Sequence, residues 1–343
     1  MQPNINLISD TVTRPTPDML SAMMRARVGD DVFQEDPTVN ELQDYAADLM
    51  GMEAALYCPS GTMTNQIALQ LHCGRLEEVI CDHLSHIYQY ETGGYASNGG
   101  IPIQLVQGTH GKLTAAQVEA AIRPTYDWLP TSKLVVLENT CNKGGGSYYT
   151  LQEMQAIKAV TDAHGLGLHL DGARLFNALA ATGDAPRAVG STFDTISICL
   201  SKGLGAPVGS LLLGSATGIR QARRLRKAMG GGMRQSGYLA AAGLYALEHH
   251  RERLALDNHH AALLGDTVHE LSYVTDVRPV QSNILIFDLH ESVTAEAFLQ
   301  QLRLHGILAA PFGPHTIRFV THYDVSAAQI ARVQAVLTDE LTF

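Results

Sequence analysis

Short apolar runs alternate with stretches whose apolar positions recur at a helical spacing, from about residue 54 to residue 213. Runs of this kind predict buried strands, and their alternation with helices predicts a mostly parallel sheet with helices on both faces. The predicted strands are 54–58, 79–81, 103–106, 133–138, 166–170, 194–200 and 210–213. This pattern is typical of an α/β domain.

A second group of elements follows a predicted helical stretch at 235–269. It comprises predicted strands at 283–288 and 316–320 and predicted helices at 294–305 and 326–341. At 343 residues the chain exceeds the size that one core usually serves. We therefore expect an N-terminal segment and large domain over 1–245, and a small C-terminal α+β domain over 246–343. No repeat or low-complexity linker separates them, so they should pack closely, with the active site between them.

The amino-acid composition limits the classes of molecule that the chain is expected to bind. Hydrophobic residues make up 45% and charged residues 17% of the chain, and the formal net charge is −10. Nucleic acids and anionic membranes both require a cationic face, so we expect neither and favour a small-molecule substrate. Residues 1–10 have no basic segment or apolar signal core, and no apolar run approaches the roughly 20 residues of a membrane span.

The cysteines indicate a reducing compartment. Their number is odd, and no pair has the spacing of a disulfide framework or of a metal site. They are Cys58, Cys73, Cys81, Cys141 and Cys199. We therefore expect no metal ligands and a cytoplasmic location.

Lys202 is the first candidate catalytic residue. The segment 201–205 reads Ser-Lys-Gly-Leu-Gly and directly follows an apolar strand, with another glycine at Gly209. Desolvation makes an amine a better nucleophile, and flanking glycines let a ligand approach closely, as a Schiff-base lysine needs. Taken alone, a lysine in an exposed turn is the more common explanation.

Asp171 and Arg174 form a second signal. The segment 168–174 reads Leu-His-Leu-Asp-Gly-Ala-Arg, so the acid stands at the end of a predicted strand. A carboxylate there can keep the ring nitrogen of pyridoxal phosphate (PLP) protonated, which the cofactor needs as an electron sink. The fragment alone equally predicts a helix N-cap followed by a surface arginine.

Three further segments suggest an anion site and a proton carrier. Ser60, Gly61 and Thr62 lie between a strand and a helix-like run, where free amides, hydroxyls and the helix dipole favour phosphate. Lys227 and Arg234, in basic and glycine-rich segments, are candidates to complete such a site. His86 follows a short strand, where an imidazole can stack on a cofactor ring or move a proton. Each of these segments also has an ordinary structural explanation.

Taken together, these segments resemble the threonine aldolases, PLP enzymes with the fold type I architecture of aspartate aminotransferase. The resemblance runs from residue 9 to about residue 323. Its blocks are 9–13 (Ser-Asp-Thr-Val-Thr), 28–32, 36–40, 171–174, 200–205 and 230–235. Such a chain is expected to cleave L-threonine, L-allo-threonine and related β-hydroxy-α-amino acids to glycine and an aldehyde.

The resemblance also implies roles for individual residues. Lys202 would carry PLP, Asp171 would pair with the ring nitrogen, His86 would stack on the ring, and the segment of Gly61 and Thr62 would hold the phosphate. His86, acting through water, is the expected base. The substrate carboxylate would be bound by Ser9, Arg174 and Arg318. Arg174 would also contact the cofactor. Family active sites form at subunit interfaces in homotetramers, so Lys227 and Arg234 would reach the phosphate of a neighbouring chain.

Two positions depart from the family pattern. After Glu-Asn-Thr at 138–140, relatives carry a histidine near the substrate hydroxyl, whereas this chain has Cys141. A thiol is a weak hydrogen-bond partner, so we expect poor discrimination between threo and erythro substrates. The second departure is Phe33, which stands where many members of the family have a tyrosine.

Other reactions remain open at this point. Phenylserine cleavage, β-elimination, racemisation and transamination would use the same lysine, acid and carboxylate grip, because fold does not decide reaction. A non-catalytic PLP-binding protein is the alternative from a different class.

Overall fold

The structure, a computed structural model, describes residues 5–341 and 343. Residues 1–4 of the predicted range 1–245 and residue 342 of the predicted range 246–343 lie outside the described residues. The same holds for the first four positions of the N-terminal stretch 1–10.

The strands agree with the predicted apolar runs to within two residues at each end. They are β1 (Ile5–Asn6), β2 (Ala54–Cys58), β3 (Glu77–Asp82), β4 (Ile103–Val106), β5 (Thr131–Glu138), β6 (Gly167–Gly172), β7 (Thr195–Cys199), β8 (Ser210–Gly214), β9 (Val274–Val277), β10 (Ile284–Leu289), β11 (Ile307–Leu308), β12 (Ala310–Pro311) and β13 (Thr316–Val320). The short strands β1, β9, β11 and β12 have no counterpart in the predicted set, because their burial is only partial or their length is too small for a periodic signal.

The helices cover the sheets and connect the strands. They are α1 (Pro17–Met24), α2 (Pro37–Met50), α3 (Gly61–His72), α4 (His86–Gln89), α5 (Gly94–Gly99), α6 (Ala115–Ala121), α7 (Leu151–His164), α8 (Leu175–Thr182), α9 (Pro186–Gly190), α10 (Ala216–Ala228), α11 (Gly237–His249), α12 (Leu254–His269), α13 (Ala295–Leu304) and α14 (Ala327–Ala335). The stretch 235–269 is thus two helices rather than one. Helix α11 ends before His250, whose Nδ1 pairs with the Leu204 carbonyl at 2.8 Å.

The large sheet has the strand order β2-β8-β7-β6-β5-β3-β4. Strand β8 is antiparallel to both β2 and β7, and the remaining pairs are parallel. All residues of β7 and β8 are buried, as expected for strands covered on both faces. The prediction of a mostly parallel sheet is confirmed.

The second sheet is antiparallel, with the order β12-β13-β10-β9. Its core contains Phe287, Phe298 and Phe319. Strand β1 pairs in parallel with β11, and Ile5 and Leu7 are buried in this same core. The N-terminal segment therefore packs on the C-terminal group. The predicted boundary at 245/246 falls within α11 and stays a prediction.

The topology places polar side chains at one edge of the large sheet. Strands β5, β6 and β7 are neighbouring and parallel, so their carboxyl ends coincide. Glu138, at the end of β5, is the register partner of Asp171 on β6. This edge is where ligands bind in open parallel sheets. Within residues 5–341 and 343, no helix is both long and apolar enough to cross a membrane.

Candidate active site

A cleft of about 450 Å³ opens at this edge, between the large sheet and the second sheet. Five of the residues predicted from the sequence line it, namely Ser9, His86, Arg174, Lys202 and Arg318. These residues are far apart in the sequence and lie next to one another only in the folded chain. Glu138, Tyr90 and Asn142 also line the cleft.

Lys202 lies just beyond β7, in a tight turn. Its backbone carbonyl accepts hydrogen bonds from the Gly205 amide at 2.8 Å and from Thr13 Oγ1 at 2.9 Å. Gly205 has φ +80°, a conformation that favours glycine. The turn thus holds the backbone of Lys202 while its half-buried side chain faces the cleft.

Asp171 is buried at the end of β6, with 3% of its surface exposed. One carboxylate oxygen accepts from Asn65 Nδ2 at 2.8 Å, and the other accepts from the Ala173 amide at 3.2 Å. On the far side of Asn65, burial and then the charge of His72 lower the pKa of His169 to about 3. His169 is therefore neutral, and it adds no positive charge to balance Asp171.

His86 begins α4 and faces this carboxylate. Its Nδ1 lies 3.0 Å from Glu91 Oε1, and an oxygen of Asp171 is within 4.8 Å of the ligand atoms of both. Burial acts to lower the pKa of His86, but the hydrogen bond to Glu91 and the charges of nearby carboxylates outweigh it and raise the pKa. Glu91 itself accepts from Asn65 and Gln66, so hydrogen bonds within the protein occupy this three-residue cluster.

Glu138 is a cleft residue that sequence reasoning missed. It is buried, and its oxygens accept from the backbone amides of His86 at 2.8 Å and Asn142 at 2.9 Å. Burial and the neighbouring charge of Asp171 raise the pKa of Glu138 to about 7. The signal that would have found it is the one used for Asp171, an acid at the carboxyl end of an apolar strand.

Arg174 is held by a partner that the sequence did not reveal. Its Nε and Nη2 donate to the two oxygens of Asp10 at 2.8 and 2.6 Å, and both side chains are buried. Burial alone would raise the pKa of Asp10, but the charge and hydrogen bonds of Arg174 hold it at about 2. Much of the Arg174 fork is therefore engaged before any substrate carboxylate arrives.

We expect Asp10→Asn to lower the free energy of unfolding by about 3–5 kcal/mol, because it leaves the buried Arg174 charge without a counterion. The measurement is the urea midpoint of wild type and variant at neutral pH. Because the pKa of Asp10 is lower in the folded protein than in the unfolded chain, the ionised carboxylate stabilises the fold fully above about pH 4. This stabilisation decreases as the pH falls toward 2.

The matched control is Asp48→Asn, which removes an Asp–Arg pair with Arg187 whose side chains are 82% and 61% exposed. We expect a change within about 1 kcal/mol there. Equal effects of the two substitutions would contradict a special role for the buried pair.

Arg318 is the cleft arginine without a counterion. Its Nη1 donates to Asn142 Oδ1 at 2.9 Å and its Nη2 to the Ile8 carbonyl at 3.0 Å, whereas its buried Nε has no hydrogen-bond partner. Among residues 5–341 and 343, no carboxylate lies within salt-bridge distance of it. Burial, then the charge of Arg174, lowers the pKa of Arg318. Of the two arginines, Arg318 is the better placed to receive a carboxylate.

Ser60, Gly61 and Thr62 form the start of α3. Ser60 Oγ accepts from the Met63 amide at 3.2 Å and caps the helix. A Cβ at Gly61 would lie 2.6 Å from Cys199 Sγ, so only glycine lets the helix start this close to β7. The first-turn amides have no partner within the helix and suit an anion.

Lys227 and Arg234 do not line this cleft. Lys227 borders a separate basic cavity beside α10, and the exposed Arg234 donates to Asp30 Oδ2 at 2.7 Å. Phe33 is 67% exposed and also lies outside the cleft wall.

Cys141 requires a correction. Its side chain is buried in the core rather than on the cleft wall, with Sγ 3.1 Å from the Glu138 carbonyl and 3.4 Å from that of Gly111. The physical reason is the turn that follows β5, in which the Cys141 amide donates to the Ser147 carbonyl and directs the thiol inward. Cys141 is therefore not among the described residues that line the cleft, whereas Asn142 is.

Comparisons with known proteins show the family and the fold of this chain. The profile of the family described as beta-eliminating lyase matches residues 6–292. The low specificity L-threonine aldolase of Escherichia coli K12 is 44% identical, over 96% of this chain and 97% of that relative. Low-specificity L-threonine aldolase 1 of Arabidopsis thaliana is 39% identical, over 95% and 93%. A solved threonine aldolase structure from Leishmania major has a TM-score of 0.86 at 24% identity, covering 98% of this chain and 100% of that chain. The structural similarity confirms the predicted fold class.

Proposed function

Because this chain belongs to the beta-eliminating lyase family and, within it, to the low-specificity threonine aldolases, we propose that it cleaves L-threonine, L-allo-threonine and related β-hydroxy-α-amino acids. The products are glycine and an aldehyde. The observation that carries the proposal is the convergence of Lys202, His86 and the unpaired Arg318 on one cleft, with Asp171 buried beside His86.

Enzymes of this family use PLP, and the residues of this chain fit it. Lys202 would link to its aldehyde, Asp171 would pair with its ring nitrogen, and His86 would lie against its ring. The phosphate would meet Gly61 and Thr62, where the helix starts close to β7 and the buried Ser210 Oγ lacks a hydrogen-bond partner. When bound, PLP supplies an electron sink for the pair of electrons left on Cα.

The chain's own residues orient the substrate and move the protons. Arg318, assisted by Ser9 and by the remaining donor of Arg174, holds the α-carboxylate and so decides which bond at Cα is broken. His86, in its neutral form, accepts the β-hydroxyl proton through water as the Cα–Cβ bond breaks and the aldehyde leaves. Protonation at Cα then completes glycine. Glu138 keeps His86 and Asn142 in position through their backbone amides.

Product analysis tests the proposal. The holoenzyme is incubated with L-threonine, L-allo-threonine and phenylserine of both hands, and glycine, aldehyde, 2-oxo acid and ammonia are measured. Glycine with an equal amount of aldehyde supports aldol cleavage. A 2-oxo acid that keeps all the substrate carbons (2-oxobutyrate from threonine, phenylpyruvate from phenylserine) with ammonia would instead assign β-elimination, and the absence of turnover on every substrate would favour a non-catalytic PLP-binding protein.

We expect Cys141→Ala to leave the ratio of kcat/KM for L-threonine and L-allo-threonine unchanged within about two-fold, because the thiol faces the core. Cys141→His should instead destabilise the fold by about 1–3 kcal/mol, since the site has no room for an imidazole. The measurements are the kinetic ratio and the urea midpoint. A ten-fold change in the ratio for Cys141→Ala would mean that the thiol does reach the substrate.

A homotetramer with active sites at subunit interfaces is part of the proposal. Lys227 and Arg234 lie away from the cleft of their own chain, as residues that serve a neighbouring chain must. Large apolar side chains on the surface also favour subunit contacts, among them Met24 at 81% and Phe33 at 67% exposure. Analytical ultracentrifugation of the holoenzyme tests the oligomeric state.

We also propose a cytoplasmic location. The five cysteines are free and buried, as suits a chain kept in a reducing compartment. Fractionation of the native cells, with the protein detected by antibody, tests this proposal.

A further inference from the structure

A second cavity of about 380 Å³ borders the catalytic cleft. We call it the annex; its walls include His83, His110, Lys143, Arg278, Leu84 and Phe312. Lys143 and Phe312 line both the annex and the cleft, so the two spaces are neighbours. A substrate held by its α-carboxylate in the cleft therefore has a second space for its β-substituent.

The annex is cationic, although the whole chain has a net charge of −10. Of the described residues, none that lines it carries a carboxylate, whereas four carry basic side chains. Lys143 Nζ has only a long contact of 3.4 Å with Gln89 Oε1 and lies 5.5 Å from the centre of the Tyr90 ring. Neither Lys143 nor Arg278 has a carboxylate within salt-bridge distance in the part of the chain that the structure describes.

Asp82, a carboxylate next to the annex, is already engaged. Asp82 is buried behind the wall, and its two oxygens accept from the amides of Leu84 at 2.7 Å and Gly108 at 2.8 Å. One of them lies 3.4 Å from His83 Nδ1, yet this buried nitrogen makes no hydrogen bond. Asp82 is therefore engaged by backbone amides and lies beside His83, and it forms no ion pair with Lys143 or Arg278.

The annex is also held in shape by hydrogen bonds between the loop after β5 and the loop that joins β9 to β10. Arg278 Nη1 donates to the Lys143 carbonyl at 2.6 Å, and Ser282 Oγ donates to the Gly146 carbonyl at 2.8 Å. Phe312 stands between the annex and the catalytic arginine, with the Arg318 guanidinium 5.0 Å from its ring centre. A substrate with two acidic groups would thus place one of them beside Arg318 in the cleft and the other beside the cationic side chains of the annex.

From these observations we propose that the annex binds an anionic group, carboxylate or phosphate, at the far end of the β-substituent. The inference rests on the proposed function and refines its substrate class. The preferred substrates are then β-hydroxy-α-amino acids with a second acidic group several bonds from Cβ, rather than threonine itself.

A matched pair of substrates tests the proposal with the holoenzyme. Phenylserine bearing a para-carboxylate and phenylserine bearing a para-carboxamide have nearly the same shape and differ in charge. We expect kcat/KM for the carboxylate to exceed that for the carboxamide by about 10-fold in dilute buffer, mainly through KM, with a smaller ratio in added salt. The para-phosphate compound, measured in parallel, tells which anion the annex prefers.

Arg278→Gln should reduce this ratio to about two-fold, and Arg278→Lys should retain most of it, because the lysine keeps the charge. His110→Asn provides a second variant, since His110 has φ +51°, which asparagine tolerates; its effect should be smaller. Measuring the ratio within each variant corrects for any general loss caused by the bond from Arg278 to the Lys143 carbonyl.

Equal kcat/KM for the two substrates in wild type, or an unchanged ratio in Arg278→Gln, would overturn the annex proposal. If threonine is cleaved in those experiments, the proposed function stands without it. Absence of cleavage of every substrate would remove both.

Discussion

Replacing Lys202 by alanine is expected to lower kcat for L-threonine cleavage by about 1000-fold or more. The lysine is the covalent attachment point proposed for PLP, and no other lysine at the cleft is held as it is. Lys143, the other lysine at the cleft, is placed beside the annex. The measurement is single-turnover and steady-state glycine formation at saturating PLP.

The position of Lys202 explains the size of this effect. A side chain that reacts must be held within a fraction of an ångström of its target, and the bonds of Thr13 and Gly205 to the Lys202 carbonyl provide that restraint. The charge of Lys202 is also felt by the buried Asp10, whose pKa it helps to lower. Lys202 lines the cleft together with Arg174 and Arg318, the arginines that would receive the substrate.

Lys133→Ala is the matched control. Lys133 is half-buried like Lys202, but it lies near the amino end of β5, away from the cleft. Its removal should leave kcat within about two-fold. Borohydride treatment of the wild-type holoenzyme, followed by peptide mass spectrometry, should find the cofactor on Lys202; a label on another lysine would refute the assignment.

The strands of the large sheet could be predicted because they are buried on both faces and therefore appear as unbroken apolar runs. A polar residue at or just beyond the carboxyl end of such a run is then a candidate for the site, and this criterion selects Lys202, Asp171 and His86. Glu138 satisfies the same criterion, since it ends the apolar strand β5.

Contacts between distant segments could not be predicted in this way. The bond of Arg174 to Asp10 joins residues 164 positions apart, and no local pattern distinguishes an arginine held by an aspartate from one that is free for a substrate. The direction of Cys141 depends on a turn in which backbone hydrogen bonds join Cys141 to Gly146 and Ser147. The identity of a residue at one position of a motif therefore gives no information on where its side chain points.

The annex depends on contacts of the same kind. Lys143 lies in the loop after β5 of the large sheet and Arg278 directly after β9 of the second sheet, and neither stands in a segment with a recognisable motif. Their joint effect is a local positive charge within an acidic protein. Net charge, which correctly directs attention to a small-molecule partner, averages over such regions and conceals them.

Asp171→Asn is expected to lower kcat for L-threonine cleavage by about 100-fold at neutral pH, because an amide cannot keep the cofactor's ring nitrogen protonated. The loss of kcat should be larger because His169, on the same strand β6, is neutral. No positive charge on this strand therefore offsets the charge of Asp171. The loss should be smaller at acidic pH, where solvent supplies the proton. The measurement is kcat against pH for both proteins.

Asp82→Asn serves as the control, since Asp82 is also a buried aspartate at the carboxyl end of a strand, β3, and accepts two backbone amides. It should change stability more than kcat. Asp171→Asn also places an amide donor against Asn65 Nδ2, so both variants are compared by thermal unfolding. A loss of kcat that is the same at every pH would mean that Asp171 supports the fold around His86, and that the ring nitrogen takes its proton from another group.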